Sequence, residues 1–319
     1  MTDRAQTPLR RPYPKSLLEF ERQFPNEQAC IDYLYELRWP NGFVCPHCGH
    51  NGGCELKTGR RRLTQCSGCR KKTSVTAGTM LHRTKIPVRT WFWATWLMAT
   101  HSNGISAVQL QKQLGLSRYE TAWDLVRKLR EAMVNPERHP LIGVVEIDET
   151  SIPYRTKDDP PAGGQGRSME GKIGCVGAVE LREDGGIGRI RLEEIEDYST
   201  KSLKCFIDAA VETGATLRTD GLPSYGAIEG YQHQPTVIGS MAAHILMPTI
   251  HTLFGNFKKW AKGVYHGLRK PRLQSYLDEY TFRFNRRSNR AAGFQSLLRI
   301  AMKIKPSPFY PVSMAKQSG

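Results

Sequence analysis

Along the chain, the pattern of apolar and polar positions changes from helical to strand-like. From residue 86 to 135 apolar side chains recur at helical spacing. Trp91, Trp93, Trp96, Leu97 and Met98 crowd a first segment ending near His101. Ser106 can cap a second helix carrying Val108, Leu110 and Leu114, and Gly115-Leu116-Ser117 makes a short turn. Ser117 is the expected N-cap of a third helix with Ala122, Trp123, Val126, Leu129 and Met133 on one side. Helix, glycine turn, helix predicts a helix-turn-helix, whose second helix would present Arg118, Tyr119, Thr121 and Arg127 to DNA. The plainer alternative is a helical hairpin used only for packing. The tryptophans read as core, not as base-stacking platforms.

Beyond residue 140 the pattern shortens. Residues 141–148, LIGVVEID, read as a continuous apolar strand with Asp148 at its end. Residues 172–181 and 188–195 read as two more strands. Residues 200–214 form an amphipathic helix with Leu203, Phe206, Ile207, Ala210 and Val211 inward. Residues 215–220, ATLRTD, give a fourth strand, again closed by an aspartate, Asp220. A short strand at 236–238 and a helix at 249–262 complete the order β-β-β-α-β-β-α. That order predicts a mixed sheet with helices on its faces, and the chain as a whole an α+β or α/β multidomain protein.

Two strand-end aspartates on neighbouring strands would meet in one cleft. Paired anionic carboxylates are costly unless a divalent cation neutralises them. Hard oxygen ligands favour Mg2+ or Mn2+. Two such ions about 3.5–4 Å apart suit phosphodiester chemistry. The plainer reading is that each aspartate caps a turn.

Four of the eight cysteines form two pairs, Cys45-Pro-His-Cys48 and Cys66-Ser-Gly-Cys69, with 17 residues between the pairs. This spacing predicts a structural Zn2+ closed by four thiolates, not a disulfide framework. His47 and His50 stand beside a set complete without them. Between the pairs a β-hairpin is expected, with Arg60, Arg61 and Arg62 around its tip.

The net charge is +16, and it is unevenly spread. Residues 140–257 hold 10 basic and 17 acidic side chains, whereas residues 258–319 hold 14 basic and 2 acidic. An acidic centre between basic flanks suits a carboxylate metal site within a nucleic-acid-binding molecule. The N-terminal residues carry no apolar run behind their basic side chains, and no window approaches the roughly 18 apolar residues of a membrane span. A soluble, cytoplasmic protein without a membrane partner is expected.

Here a resemblance becomes specific. Val145-Glu146-Ile147-Asp148-Glu149-Thr150, the later Thr219-Asp220-Gly221 with Tyr225 behind it, Gly263-Val264-Tyr265-His266, Tyr276-Leu277-Asp278-Glu279-Tyr280 and Phe282-Arg283-Phe284-Asn285-Arg286-Arg287 resemble the ISXO-like bacterial insertion-sequence transposases. That group belongs to the DDE superfamily. The resemblance implies an RNase H-like catalytic domain and carries the first two carboxylates onto Asp148 and Asp220. The group's common pattern then has Ile-Glu with a lysine seven residues later. Here Ile250-His251 and Lys258 take those places, so no acid falls at the third position. His251 can serve as a metal ligand or phosphate contact. Asn256 is the other candidate, since related enzymes can carry asparagine in that role. In one regular helix His251 and Lys258 share a face, whereas Asn256 lies about 140° away. Glu279 reads as a structural ion-pair partner.

The implied domains are a helical segment at 1–40, a zinc ribbon at 41–78, a helix-turn-helix region at 79–138, a catalytic domain at 139–290 and a basic tail at 291–319. The implied activity is metal-dependent cleavage and strand transfer at terminal inverted repeats. Double-stranded DNA, both element ends and target, would be the partner, bound by a homodimer or larger assembly. Arg283, Arg286 and Arg287 would add DNA contacts. A non-catalytic DNA-binding protein, or a nuclease without strand transfer, stands as the alternative.

Overall fold

The computed structural model describes residues 12–56, 62–155, 170–226, 228–235 and 247–306. The described chain divides into two compact units, one of residues 12–132 with 288–306, the other of 133–287.

In the first unit, α1 (Leu17–Gln23) and α2 (Glu27–Arg38) are capped by Ser16 and Asn26, whose side chains accept from Glu19 N and Ala29 N. A three-stranded antiparallel sheet follows, β1 (Gly53–Leu56), β2 (Leu63–Cys66) and β3 (Lys72–Ser74). Then come α3 (Val88–Thr100), α4 (Ala107–Leu114) and α5 (Tyr119–Glu131). Ser106 caps α4 as expected. Gly115 ends it in the left-handed region, φ 61°, where a residue without Cβ is unstrained. The N-cap of α5 is Arg118, not Ser117, and it makes no side-chain capping bond.

This unit is closed by the far end of the sequence. The expected basic tail from 291 is corrected over residues 291–303, which belong to a helix, α9 (Arg290–Lys303). Its basic residues are few, and Phe294, Leu297, Leu298 and Ala301 are buried. Phe294 meets Phe20, Phe24, Phe92 and Trp96 at ring-centroid distances of 5.7, 5.7, 5.7 and 5.8 Å. Met80 N donates to Ala301 O, and Gln295 Nε2 to the Tyr33 hydroxyl. Trp91 and Trp96 are buried, so these tryptophans are core.

The second unit is built on a five-stranded mixed sheet. Its strands are β4 (Val144–Pro153), β5 (Lys172–Leu181), β6 (Ile187–Ile195), β7 (Thr216–Thr219) and β8 (Gln232–Pro235), in the order β6-β5-β4-β7-β8. β4, β5 and β6 are antiparallel, while β7 and β8 join parallel. This is the RNase H-like mixed sheet expected. The strand expected at 236–238 lies outside the described residues, and β8 precedes it.

Helices cover both faces. On one, α6 (Thr200–Ala210) packs Leu203, Phe206 and Ile207 against Val145, Ile147, Val176 and Ala178. On the other, α7 (Pro248–Tyr265) and α8 (Leu273–Phe284) pack Ile250, Phe254, Phe257 and Leu277 against Ile152, Cys175 and Val179. β4 therefore alternates, Val145 and Ile147 facing α6, while Glu146, Asp148 and Thr150 fall on the α7 face by the period of two. Asp148 lies in mid-strand, not at a strand end, which corrects the expected boundary; Asp220 directly follows β7.

Candidate active site

The parallel register pairs Val144 with Thr216, Val145 with Leu217 and Glu146 with Arg218. Continued by two residues, it sets Asp148 beside Asp220. Asp148 is 6% exposed, and its Oδ1 accepts from Glu149 N at 2.8 Å. Its pKa is pushed up to about 7, first by burial and then by the negative charges of Glu149, Asp220 and Glu146. Asp220 is half-buried and accepts from Leu222 N at 3.0 Å, so it also fastens the turn after β7.

α7 brings the third group. His251 Nε2 stands 3.5 Å from Asp148 Oδ2. Lys258, two turns on, donates from Nζ to Thr150 Oγ1 at 2.7 Å, and burial of its ammonium lowers its pKa. Asn256 is exposed. The helical geometry thus brings His251 and Lys258 to β4 together, and Asn256 does not join them.

Three further side chains of β4, to which the sequence assigns no role, take part here. Glu146 is 4% exposed and accepts from Ile250 N at 3.1 Å. Glu149, on the α6 face, accepts from the Tyr225 hydroxyl. Burial raises its pKa to about 7 despite that bond, with Asp220 adding to the rise. Thr150 receives Lys258. The signal that could have found them is the alternation within Val-Glu-Ile-Asp-Glu-Thr, whose polar members were submerged in the reading of a continuous apolar strand.

The four cysteines of the ribbon converge. Their sulfurs all lie within 4.8 Å of one another, with Cys45–Cys69 at 3.6 Å and Cys48–Cys66 at 3.7 Å. Four soft thiolates at that spacing fit a closed tetrahedral Zn2+ site. Among the described residues, Asp148, Asp220 and His251 do not gather so tightly. Their hard carboxylates and imidazole are nonetheless donors that Mg2+ or Mn2+ accepts, with water completing the shell.

The expected DNA contacts separate. Arg60 and Arg61 lie outside the described residues. Arg62 pairs with Asp32 at 2.8 Å and Glu55 at 3.1 Å and stacks 3.9 Å from the Tyr35 ring centroid. Arg127 is 10% exposed at its side chain and bonds Asp124 and Glu131, so it does not present itself from the surface of α5; Arg118 is exposed. Arg286 stacks on Phe282, and burial lowers its pKa to about 10. Arg287 donates to Ile187 O and Gly188 O, holding the start of β6. Arg283 is half-buried. Glu279 is fully buried and accepts from the Tyr265 hydroxyl.

Comparison with known proteins bears on both units. Residues 25–72 match the transposase zinc-ribbon domain, and residues 140–285 match the ISXO2-like transposase domain. The two matches follow one another along the chain, ribbon first. The second match spans the whole sheet, α6, α7 and α8, and so includes every side chain of the carboxylate cleft. A protein described as uncharacterized in transposable element ISH50 of Halobacterium salinarum is 24% identical over 281 residues, spanning 82% of this chain and 92% of its own length. Among the described residues, no helix is long and apolar enough to cross a membrane.

Proposed function

We propose that this transposase-domain chain binds the terminal inverted repeats of an insertion sequence, cuts the DNA there and joins the cut ends to target DNA. The observation that carries the reading is the approach of His251 to Asp148 at 3.5 Å, with the Asp220 charge acting on Asp148, within the residues that match the ISXO2-like domain. Asp148, Asp220 and His251 would hold Mg2+ or Mn2+, which when bound supplies Lewis acidity at the reacting phosphate. Burial and the neighbouring carboxylates raise the Asp148 pKa to about 7, and a cation held there would favour its carboxylate form. Lys258 would meet a non-bridging phosphate oxygen from the Thr150 side of the cleft.

Two in-line displacements then suffice. Water attacks the phosphodiester at the element end, its oxygen bonding to phosphorus as it gives up a proton to solvent, and the 3′ oxygen leaves and takes up a proton to become a hydroxyl. That 3′ oxygen attacks a target phosphodiester and bonds to phosphorus as it gives up its proton to solvent, while the target's own 3′ oxygen leaves and takes up a proton to become a hydroxyl. No covalent link to the protein is needed. Zn2+ on Cys45, Cys48, Cys66 and Cys69 would hold the ribbon, and Arg118 with the basic 57–61 segment would meet phosphates. Two ends must come together, which calls for a dimer or larger assembly.

A second reading, a DNA-binding protein without catalysis, draws on the replacement of the third acid by His251. Incubating the protein with a labelled terminal-repeat duplex, target plasmid and Mg2+ separates the two. Joined product supports the transposase; binding without cleavage supports the alternative, and cleavage without joining a nuclease.

A further inference from the structure

α7 starts with a deficiency. Its N-cap, Met247, offers no side-chain acceptor, and Pro248 opens the helix. First-turn amides therefore need an acceptor from elsewhere. Glu146 supplies it across the sheet face, accepting from Ile250 N at 3.1 Å and from the Thr249 side chain. The residue after Ile250 is His251, and the residue two after Glu146 is Asp148. A second tie lies farther along, where Thr150 receives Lys258. From Glu146 to Thr150 a strand advances about 13 Å. From Ile250 to Lys258 a helix advances about 12 Å. Strand and helix are thus matched in length between the two ties, and the His251–Asp148 approach of 3.5 Å falls between them.

The sheet also makes room at that point. Gly177 of β5 is the cross-strand partner of Asp148. A Cβ there would meet the Phe254 ring at 2.7 and 2.8 Å and Ile250 Cδ1 at 3.0 Å. The absence of a side chain lets α7 lie close against the strand that carries the carboxylate.

We infer that Glu146 is a positioning residue, an external cap that seats the first turn of α7 so that His251 reaches Asp148. The inference rests on the proposed role of His251, and it deepens that reading. Glu146 bonds Ile250 N and the Thr249 side chain, and so acts through the helix. A carboxylate is the suitable cap, because it attracts the positive end of the helix as well as accepting its N–H groups. Glutamine keeps an acceptor at the same reach, whereas leucine fills the space without one.

The test uses the full chain and Glu146→Gln, Glu146→Leu and Gly177→Ala. Glu146→Leu should slow cleavage of a labelled element end about 100-fold, the size expected when a reacting group is displaced by about an ångström. End-binding Kd should stay within about twofold, because the change leaves the ribbon and α3–α5 untouched. Glu146→Gln should restore cleavage to within about fivefold of wild type. Gly177→Ala should lower cleavage in the same direction as Glu146→Leu. In a His251→Ala background Glu146→Leu should add less than about threefold, since residues acting through one another are not additive. Independently of activity, hydrogen exchange in the first turn of α7 should quicken at least about tenfold in Glu146→Leu and not in Glu146→Gln. Equal losses with and without His251, or unchanged exchange in Glu146→Leu, would overturn the inference. Absence of cleavage by the wild-type chain would instead count against the proposed function, and the exchange result would still decide the role of Glu146.

Discussion

Glu27 in the ribbon-and-helix unit and Glu146 in the sheet unit perform the same local task in different company. Each caps a helix from another element: Glu27 accepts from Val88 N and Arg89 N at 2.7 and 2.8 Å, Glu146 from Ile250 N. Beside Glu27, the Arg89 side chain donates to Phe24 O, and Phe24 belongs to an aromatic core closed by Phe294. Glu146 is paired across the sheet with Arg218 and shares the α7 face of β4 with Asp148; Asp148 and, on the other face, Glu149 are both pushed up to about 7, burial being the first cause. The first unit arranges its buried polar groups to hold a shape. The second keeps carboxylates together at a cost in stability, a cost that a cation would offset under the proposed function.

The largest expected effect separates the units through zinc. Cys66→Ser should take bound zinc from one per chain to none by elemental analysis. Structural zinc contributes on the order of 10 kcal/mol in small modules, so the ribbon should unfold. The sheet unit should keep its own calorimetric transition. Loss of both transitions would mean that the two units are not energetically distinct.

Next is the closing helix. Phe294→Ala removes a ring that touches four others and should cost about 3–5 kcal/mol. The loss should appear in the first unit's melting, with end binding falling as it unfolds. A chain truncated before residue 288 should lose end binding altogether, although it keeps Arg118 and the ribbon cysteines.

The pH dependence sharpens the contrast. Asp148 and Glu149 have folded pKa values near 7, above those of an unfolded carboxylate. Between about pH 4 and 7 the folded state therefore binds more protons, and metal-free stability falls as pH rises through that window. Asp148→Asn removes the buried charge and should raise metal-free stability at pH 8 by roughly 2–4 kcal/mol, a gain that shrinks as pH falls toward 4. Denaturant melts at pH 5 and 8 check this. Added Mg2+ should stabilise the wild type and not the variant.

The smallest effects concern two arginines of α5. Arg118→Ala should weaken DNA binding by about 1 kcal/mol and reduce the salt slope by about 1. Arg127→Ala should leave the slope unchanged and destabilise the first unit, because its partners are Asp124 and Glu131.

Much of this was legible in the sequence for a physical reason. Spacing that repeats, as in the cysteine pairs and the amphipathic 200–214 segment, survives without tertiary information. So did the geometry of one helix, which placed His251 and Lys258 together and Asn256 elsewhere. The destination of α9 was not legible, since its apolar stripe says that it packs but not where. The stretch from 291 read as a solvated basic tail because the net charge of residues 258–319 was carried over to it, while Phe294 lay among the rings of α1 and α3. Arg62 and Arg287 read as DNA contacts because charge alone does not reveal an acidic or carbonyl partner distant in sequence, whereas the partners of Arg127, Asp124 and Glu131, lie three and four residues away on its own helix and were open to the i, i+3 and i, i+4 rule. Asp148 read as a strand end because its turn-like neighbours, Glu149 and Thr150, are paired by β5 only in the folded sheet.

The most direct test is Mg2+-dependent cleavage of a labelled terminal-repeat duplex by the wild type, Asp148→Asn, Asp220→Asn, His251→Ala and Asn256→Ala, each with end binding measured alongside. The site described here predicts cleavage by the wild type and by Asn256→Ala. It predicts loss of at least about 100-fold in the other three, at unchanged end-binding Kd. Cleavage retained by either aspartate variant, or lost in Asn256→Ala and kept in His251→Ala, would contradict it.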